Sequence, residues 1–179
     1  MQPQAVLHFW FEELSAKQHF AKDAALDQAI RTRFGATLEA AARCELFAWR
    51  ATAEGRLAEI IVLDQFSRNL FRGTPGAFAQ DGKALVLAQE AVAARVHEAL
   101  TPVARGFLFL PYMHSESRAV HVEAERLYRE FALPGNHDFE LKHKIIIDRF
   151  GRFPHRNAIL GRASTTEEIE LLKQPGSSF

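Results

Sequence analysis

The stretch from Gly55 to Gly73 constrains this chain more than any other. Leu57, Ile60, Ile61, Val62, Leu63, Phe66, Leu70 and Phe71 leave a helix through it with almost no polar side, and a helix that is apolar all round belongs in the middle of a protein. At about 100° per residue, Asp64 and Arg68 fall on the face shared by Leu57, Ile60, Ile61 and Phe71. Charges on a core face need partners, since removing one member of a buried pair costs on the order of 3–5 kcal/mol. Arg72 extends the same i, i+4 row. The sequence therefore specifies a central helix with a polar seam, and other elements must supply the seam's partners.

Helical spacing recurs through the rest of the chain, and period-two alternation is nearly absent. Pro3 suits a helix start ahead of Val6, Phe9 and Trp10, and Asp23 to about Ala42 is a second helical region. Phe47-Ala48-Trp49 reads as a short helix or turn, with Gly55 preceding the central helix. Thr74-Pro75 is a cap-plus-proline start for a helix running towards Val96, in which Gly82 predicts close packing. Thr101-Pro102 repeats that start. Phe107 to Met113 is apolar on every side, and Pro111 should kink or finish it. His114-Ser115-Glu116-Ser117 is then a corner, with a serine as N-cap and Glu116 complementing the next helix dipole.

Val120, Ala124, Leu127, Tyr128 and Phe131 make an amphipathic helix ending before Pro134. Asn136 or Asp138 should cap the following one, whose apolar face is Phe139, Ile146, Ile147, Phe150 and Phe153, with His143 in its middle. A capping box, Ser164 with Glu167 or Thr165 with Glu168, opens a short last helix. The expected fold is all-α: about seven to nine antiparallel helices in one domain spanning residues 1–179. No repeat of fixed period is present, so periodicity alone does not specify a solenoid.

Lysine plus arginine (22) balances aspartate plus glutamate (22), which gives no general attraction to nucleic acid or to an anionic membrane. Arginine outnumbers lysine, a bias towards planar, hydrogen-bonded pairing. The single cysteine, Cys44, excludes an internal disulfide and a cysteine-rich metal site. Eight histidines show no metal-hydrolase spacing, so neither a metal nor a cofactor is expected. No basic leader and no long apolar run are present, and a soluble cytoplasmic protein is the expectation. Oligomeric state is left open.

Several segments recur together in a known pattern. They are Asp64-Gln65-Phe66-Ser67-Arg68-Asn69, Phe71-Arg72-Gly73, Leu110-Pro111-Tyr112-Met113-His114-Ser115-Glu116, Arg149-Phe150-Gly151-Arg152-Phe153-Pro154-His155-Arg156-Asn157, Leu160-Gly161-Arg162 and the closing Pro175-Gly176-Ser177-Ser178-Phe179. In this the chain resembles domain of unknown function family 924, nearly end to end from Phe9-Trp10-Phe11. The family pattern has proline where this chain has Ser67. The resemblance implies an all-helical, tetratricopeptide-like stack and supplies no reaction, cofactor or catalytic residue.

Three polar constellations carry the candidate chemistry. Asp64, Arg68, Asn69 and Arg72 read as an internal salt-bridge network or as an anion clamp. Arg149, Arg152, His155, Arg156, Asn157 and Arg162 read as an anchored polar loop or as a phosphate or carboxylate site. His114, Ser115 and Glu116 read as a helix corner, with His114, Glu116 and His143 as candidate catalytic groups. The Arg152–Asn157 loop is expected beside the C-terminal end of the central helix, close to His114 or Glu116. The leading functional reading is a binding protein for an anionic small molecule or peptide carboxylate. A hydrolase-like enzyme with a histidine general acid/base and a structural protein–protein adaptor are the alternatives.

Overall fold

The computed structural model describes residues 1–177, and every regular element in them is helical. Ser178-Phe179 of the closing motif lies outside the described residues. Helix α1 (Pro3–His8) continues into a π-helical turn (Phe9–Glu13). Helix α2 spans Ala24–Ala42. The central helix α3 runs unbroken through three pieces: Ala53–Ile61, a π-helical segment Val62–Phe66, and Ser67–Leu70. Then follow α4 (Asp81–Ala93), α5 (Pro102–Met113), α6 (Arg118–Phe131), α7 (Pro134–Phe150) and α8 (Thr166–Leu172). That makes eight helices among the described residues, linked by short 3-10 turns.

Helix α3 packs against α1, α2, α4 and α5, and its apolar girth explains why: Leu57, Ile60, Ile61, Val62, Leu63 and Phe66 are all at most 2% exposed. Trp10 from the π-helical turn after α1 and Phe34 from α2 close on Phe66, with ring centroids 5.6 and 5.0 Å away. Helices α5, α6 and α7 pack in sequence on the other side. A second, smaller apolar cluster joins Ile146, Ile147 and Phe153 to Phe150 and to Leu171 of α8.

Several expected helix starts are realised. Asp23 accepts from the Ala25 and Leu26 amides, Thr101 accepts from Ala104, and Thr165 with Glu168 completes the capping box. Others shift. Helix α3 begins at Ala53, capped by Thr52, so Gly55 lies inside its first turn. The reason is close approach: a Cβ on Gly55 would stand 1.9 Å from the Trp49 carbonyl oxygen.

Gly82 is the reverse case, because a Cβ there would meet nothing within 4 Å. Its missing side chain leaves open space instead of permitting close packing. Helix α4 starts only at Asp81, since Thr74 Oγ1 donates to the Phe71 carbonyl and Pro75 opens a 3-10 turn. Helix α7 starts at Pro134 behind Leu133, ahead of Asn136 and Asp138, because proline is pre-set for the first helical turn. Phe139 then falls on the solvent side, 56% exposed, outside the apolar face assigned to it. Beyond Pro111, α5 adds only Tyr112 and Met113 before it ends.

Candidate functional site: an aspartate–histidine pair at a polar cleft

Asp64 sits in the π-helical segment of α3 and is 1% exposed. Its Oδ1 accepts from His114 Nδ1 at 2.8 Å and lies 3.2 Å from Arg68 Nη1, while Oδ2 accepts from Gln65 at 2.6 Å. Burial works to raise its pKa, yet Arg68 and His114 together hold the carboxyl well below the usual carboxylate range. An ionised carboxylate only accepts hydrogen bonds, so His114 Nδ1 must carry the proton. In the neutral ring Nε2 is then a bare acceptor. Burial, followed by the Arg68 charge, pushes the His114 pKa down, which keeps that ring neutral. Its Nε2 has no hydrogen-bond partner among the described residues.

Arg68 forks onto Asp81, the first residue of α4, with Nη1 and Nη2 2.9 and 3.1 Å from the two carboxylate oxygens. Its Nη1 also donates to the Asp64 carbonyl at 2.8 Å. The Arg152–Asn157 loop reaches this seam through Arg156. Arg156 donates to Asp81 (3.2 Å) and to the His114 carbonyl (3.0 Å), and lies between the rings of Phe78 and Phe153, 4.6 Å from each centroid. Burial lowers the Arg156 pKa to about 10, which leaves it cationic at neutral pH.

Glu116 does not serve the α6 dipole. It accepts the Phe153 amide (2.8 Å) and the fork of Arg162 (2.6 and 2.9 Å). Ser117 stands at the N-cap position of α6 without a side-chain cap. The corner is fixed by His121, whose Nε2 donates to the Ser115 carbonyl (2.8 Å) while Nδ1 meets Glu140 (2.7 Å), both side chains fully buried.

A cleft of about 370 Å³ opens over this centre. Asp81, His114, Ser115, Glu116 and Arg156 give it a polar base, and Pro75, Phe78, Leu85, Pro111 and Leu160 give it apolar walls. Gly82 lines it too, so the space left by that glycine belongs to the cleft.

The structure does not bring the other candidates here. Asn69 and Arg72 both turn to Asp27 of α2, at 2.8 and 2.7 Å. Arg152 forks onto Glu168 (2.6 and 2.8 Å), and Arg149 is exposed with Glu167 at 3.7 Å. His143 lies behind the site, its ring 6.4 Å from that of His114 and its Nδ1 against the Phe139 carbonyl. Burial pushes its pKa down to about 3. His155 stands beside the Phe153 ring, with its pKa lowered by burial to about 4.

The anticipated surplus of arginine is met by acids that sequence spacing did not flag: Asp81, Asp27 and Glu168. Asp81 stands thirteen positions after Arg68 on a different helix, so no periodicity links them. Among the described residues, no three histidine, cysteine, aspartate or glutamate side chains converge on a point that could hold a metal ion. No helix among them is long and apolar enough to cross a membrane.

The family model described as bacterial protein of unknown function (DUF924) matches residues 6–176. The chain belongs to the DUF924 family. A similar solved structure is that of a protein of unknown function from Agrobacterium tumefaciens, 38% identical, with a TM-score of 0.91 over 96% of each chain. No curated relative matches.

Proposed function

We propose that the cleft binds a small molecule and that His114 works there as proton acceptor and donor in a hydrolase-like reaction. The Asp64–His114 pair carries this reading: a buried carboxylate fixes Nδ1 of an imidazole that lines the cleft with its other nitrogen unbonded. Such a partner sets the tautomer and stabilises the imidazolium as it forms. Nε2 takes a proton from an attacking water or hydroxyl and returns it to the leaving group. Arg156, in the cleft base and already paired with Asp81, gives partial stabilisation to negative charge building on the substrate.

One observation favours a second reading, the binding of an anionic small molecule or peptide carboxylate. Arg156 Nε is buried without a hydrogen-bond partner among the described residues, so the guanidinium has a donor they leave unused. Charge balance weighs against it. Asp64, Asp81 and Glu116 already offset Arg68, Arg156 and Arg162, and an added anion would be uncompensated.

The test is turnover of chromogenic esters, amides and phosphoesters by the wild type and His114→Gln. The expected result is hydrolysis of one class that falls roughly 100-fold or more in the variant, the scale of general acid–base catalysis. Hydrolysis unchanged by the variant would remove His114 from the chemistry. A rise in melting temperature with phosphate or acetate, lost in Arg156→Gln and without any turnover, would move the conclusion to the second reading.

A further inference from the structure

A second depression lies between α2 and the end of α3. It holds about 470 Å³, and its floor is Leu38, Ser67 and Leu70. Two features there have no role in the folded chain. Gly35 sits inside α2, where glycine weakens a helix, yet a Cβ at this position would meet nothing within 4 Å. Gly55 and Gly106 are different: a Cβ on either would collide with the Trp49 carbonyl or with Asn136. The absent side chain at Gly35 therefore serves the groove and not the packing. Ser67 is 1% exposed, lines the same groove, and its Oγ has no hydrogen-bond partner among the described residues. A buried hydroxyl left unpaired is costly unless something supplies its partner.

The rim adds charge. Arg31 and Glu39 of α2 both line the groove, and neither makes an ion pair among the described residues. Arg31 instead donates to the Leu70 carbonyl at the end of α3. The two residues are eight positions apart, about 12 Å along a helix axis at 1.5 Å per residue. An extended tripeptide spans about 10 Å at 3.3–3.6 Å per residue.

We infer that this groove binds a short peptide with free ends and apolar side chains. Its carboxylate would meet Arg31, its ammonium would meet Glu39, and its backbone would pass over Ser67 and Gly35. The reading is independent of His114 and of the chemistry at the cleft.

The experiment is an NMR titration of the whole protein with a peptide of three leucines, its N-acetylated and C-amidated forms, and decanoate. The expected result is that the free peptide shifts the amides around Gly35, Ser67 and Leu70. Amidation, acetylation and Arg31→Gln should each weaken binding roughly tenfold or more, as loss of a charged hydrogen bond does. Gly35→Leu should abolish it by filling the groove. Gly35→Ala adds one carbon, keeps the helix intact and should weaken binding in part, so the proposal stays testable if the larger variant fails to fold. Blocked peptides or decanoate binding as well as the free peptide, or an affinity that ignores both Gly35 variants, would overturn it. So would shifts confined to other parts of the protein.

Discussion

Asp64 is 1% exposed and Glu168 is 2% exposed, and an arginine meets each of them. Their surroundings nevertheless have opposite consequences. Around Glu168 everything closes: Arg152 forks onto it, the Thr165 amide donates at 2.7 Å, and Asn157 donates at 3.3 Å. The Arg152 hydrogen bonds hold its pKa down to about 2, and that region is a clasp tying α8 to the Arg152–Asn157 loop. Around Asp64 one partner is a histidine, and a histidine has a second nitrogen. The same pairing that ends at Glu168 continues at Asp64 through His114 into a cleft. The two carboxylate–arginine pairs thus differ in what their remaining partner leaves unused, and the proposed chemistry at the cleft depends on that difference.

Asp64→Ala is expected to have the largest effect. It strips Arg68 and His114 of a buried partner and should lower stability by roughly 3 kcal/mol, read by chemical denaturation. A loss under about 0.5 kcal/mol would mean the centre tolerates an uncompensated charge and would break the contrast. Glu168→Gln should cost less, about 1–2 kcal/mol, because Arg152 is 29% exposed and water can take over part of the fork. Turnover or ligand binding at the cleft should stay unchanged in that variant. A change there would show that the clasp and the centre are coupled.

Mild acid offers a subtler separation of the two. His114 and His143 have pKa values pushed down by burial, so in this range the unfolded chain binds protons that the folded chain refuses. Their stabilisation is complete above the unfolded value near pH 6.5 and is lost as pH falls below it. His143 alone should cost about 1 kcal/mol between pH 6.5 and about pH 5.5. The Glu168 clasp has the opposite sign of charge and a lower window. Its contribution persists down to the ordinary glutamate range near pH 4.5 and fades towards pH 2. The stability of His143→Gln should therefore fall less steeply than that of wild type from about pH 6.5 down to about pH 3. Identical slopes would mean that the histidine region does not titrate as a buried group.

The helical class and the buried central helix were legible because apolar period and girth are local properties of sequence. The pairing of Asp64 with Arg68 was legible for the same reason, since i, i+4 spacing fixes neighbours on one helix. Partners across helices were not. Arg72 continues the row on paper, but the chain turns after Leu70 and delivers its guanidinium to Asp27. Asp81 and Phe78, which complete the cleft, come from a segment read as a plain helix start. Gly82 reads as a packing glycine from sequence, which gives its propensity cost and not its surroundings.

The π-helical segment Val62–Phe66 has a consequence for how this chain can change length. A single wide turn is geometrically one residue inserted into an α-helix, and it is usually retained at functional sites. Deleting one residue there would leave an ordinary, hydrogen-bonded helix with no evident defect of its own. The wide turn has already absorbed that residue, so everything beyond the deletion would keep its register about the helix axis. Arg68 would still face Asp81, and Asn69 would still face Asp27. A residue lost anywhere else in α3 would swing its last turn by about 100° and carry both side chains away from their partners.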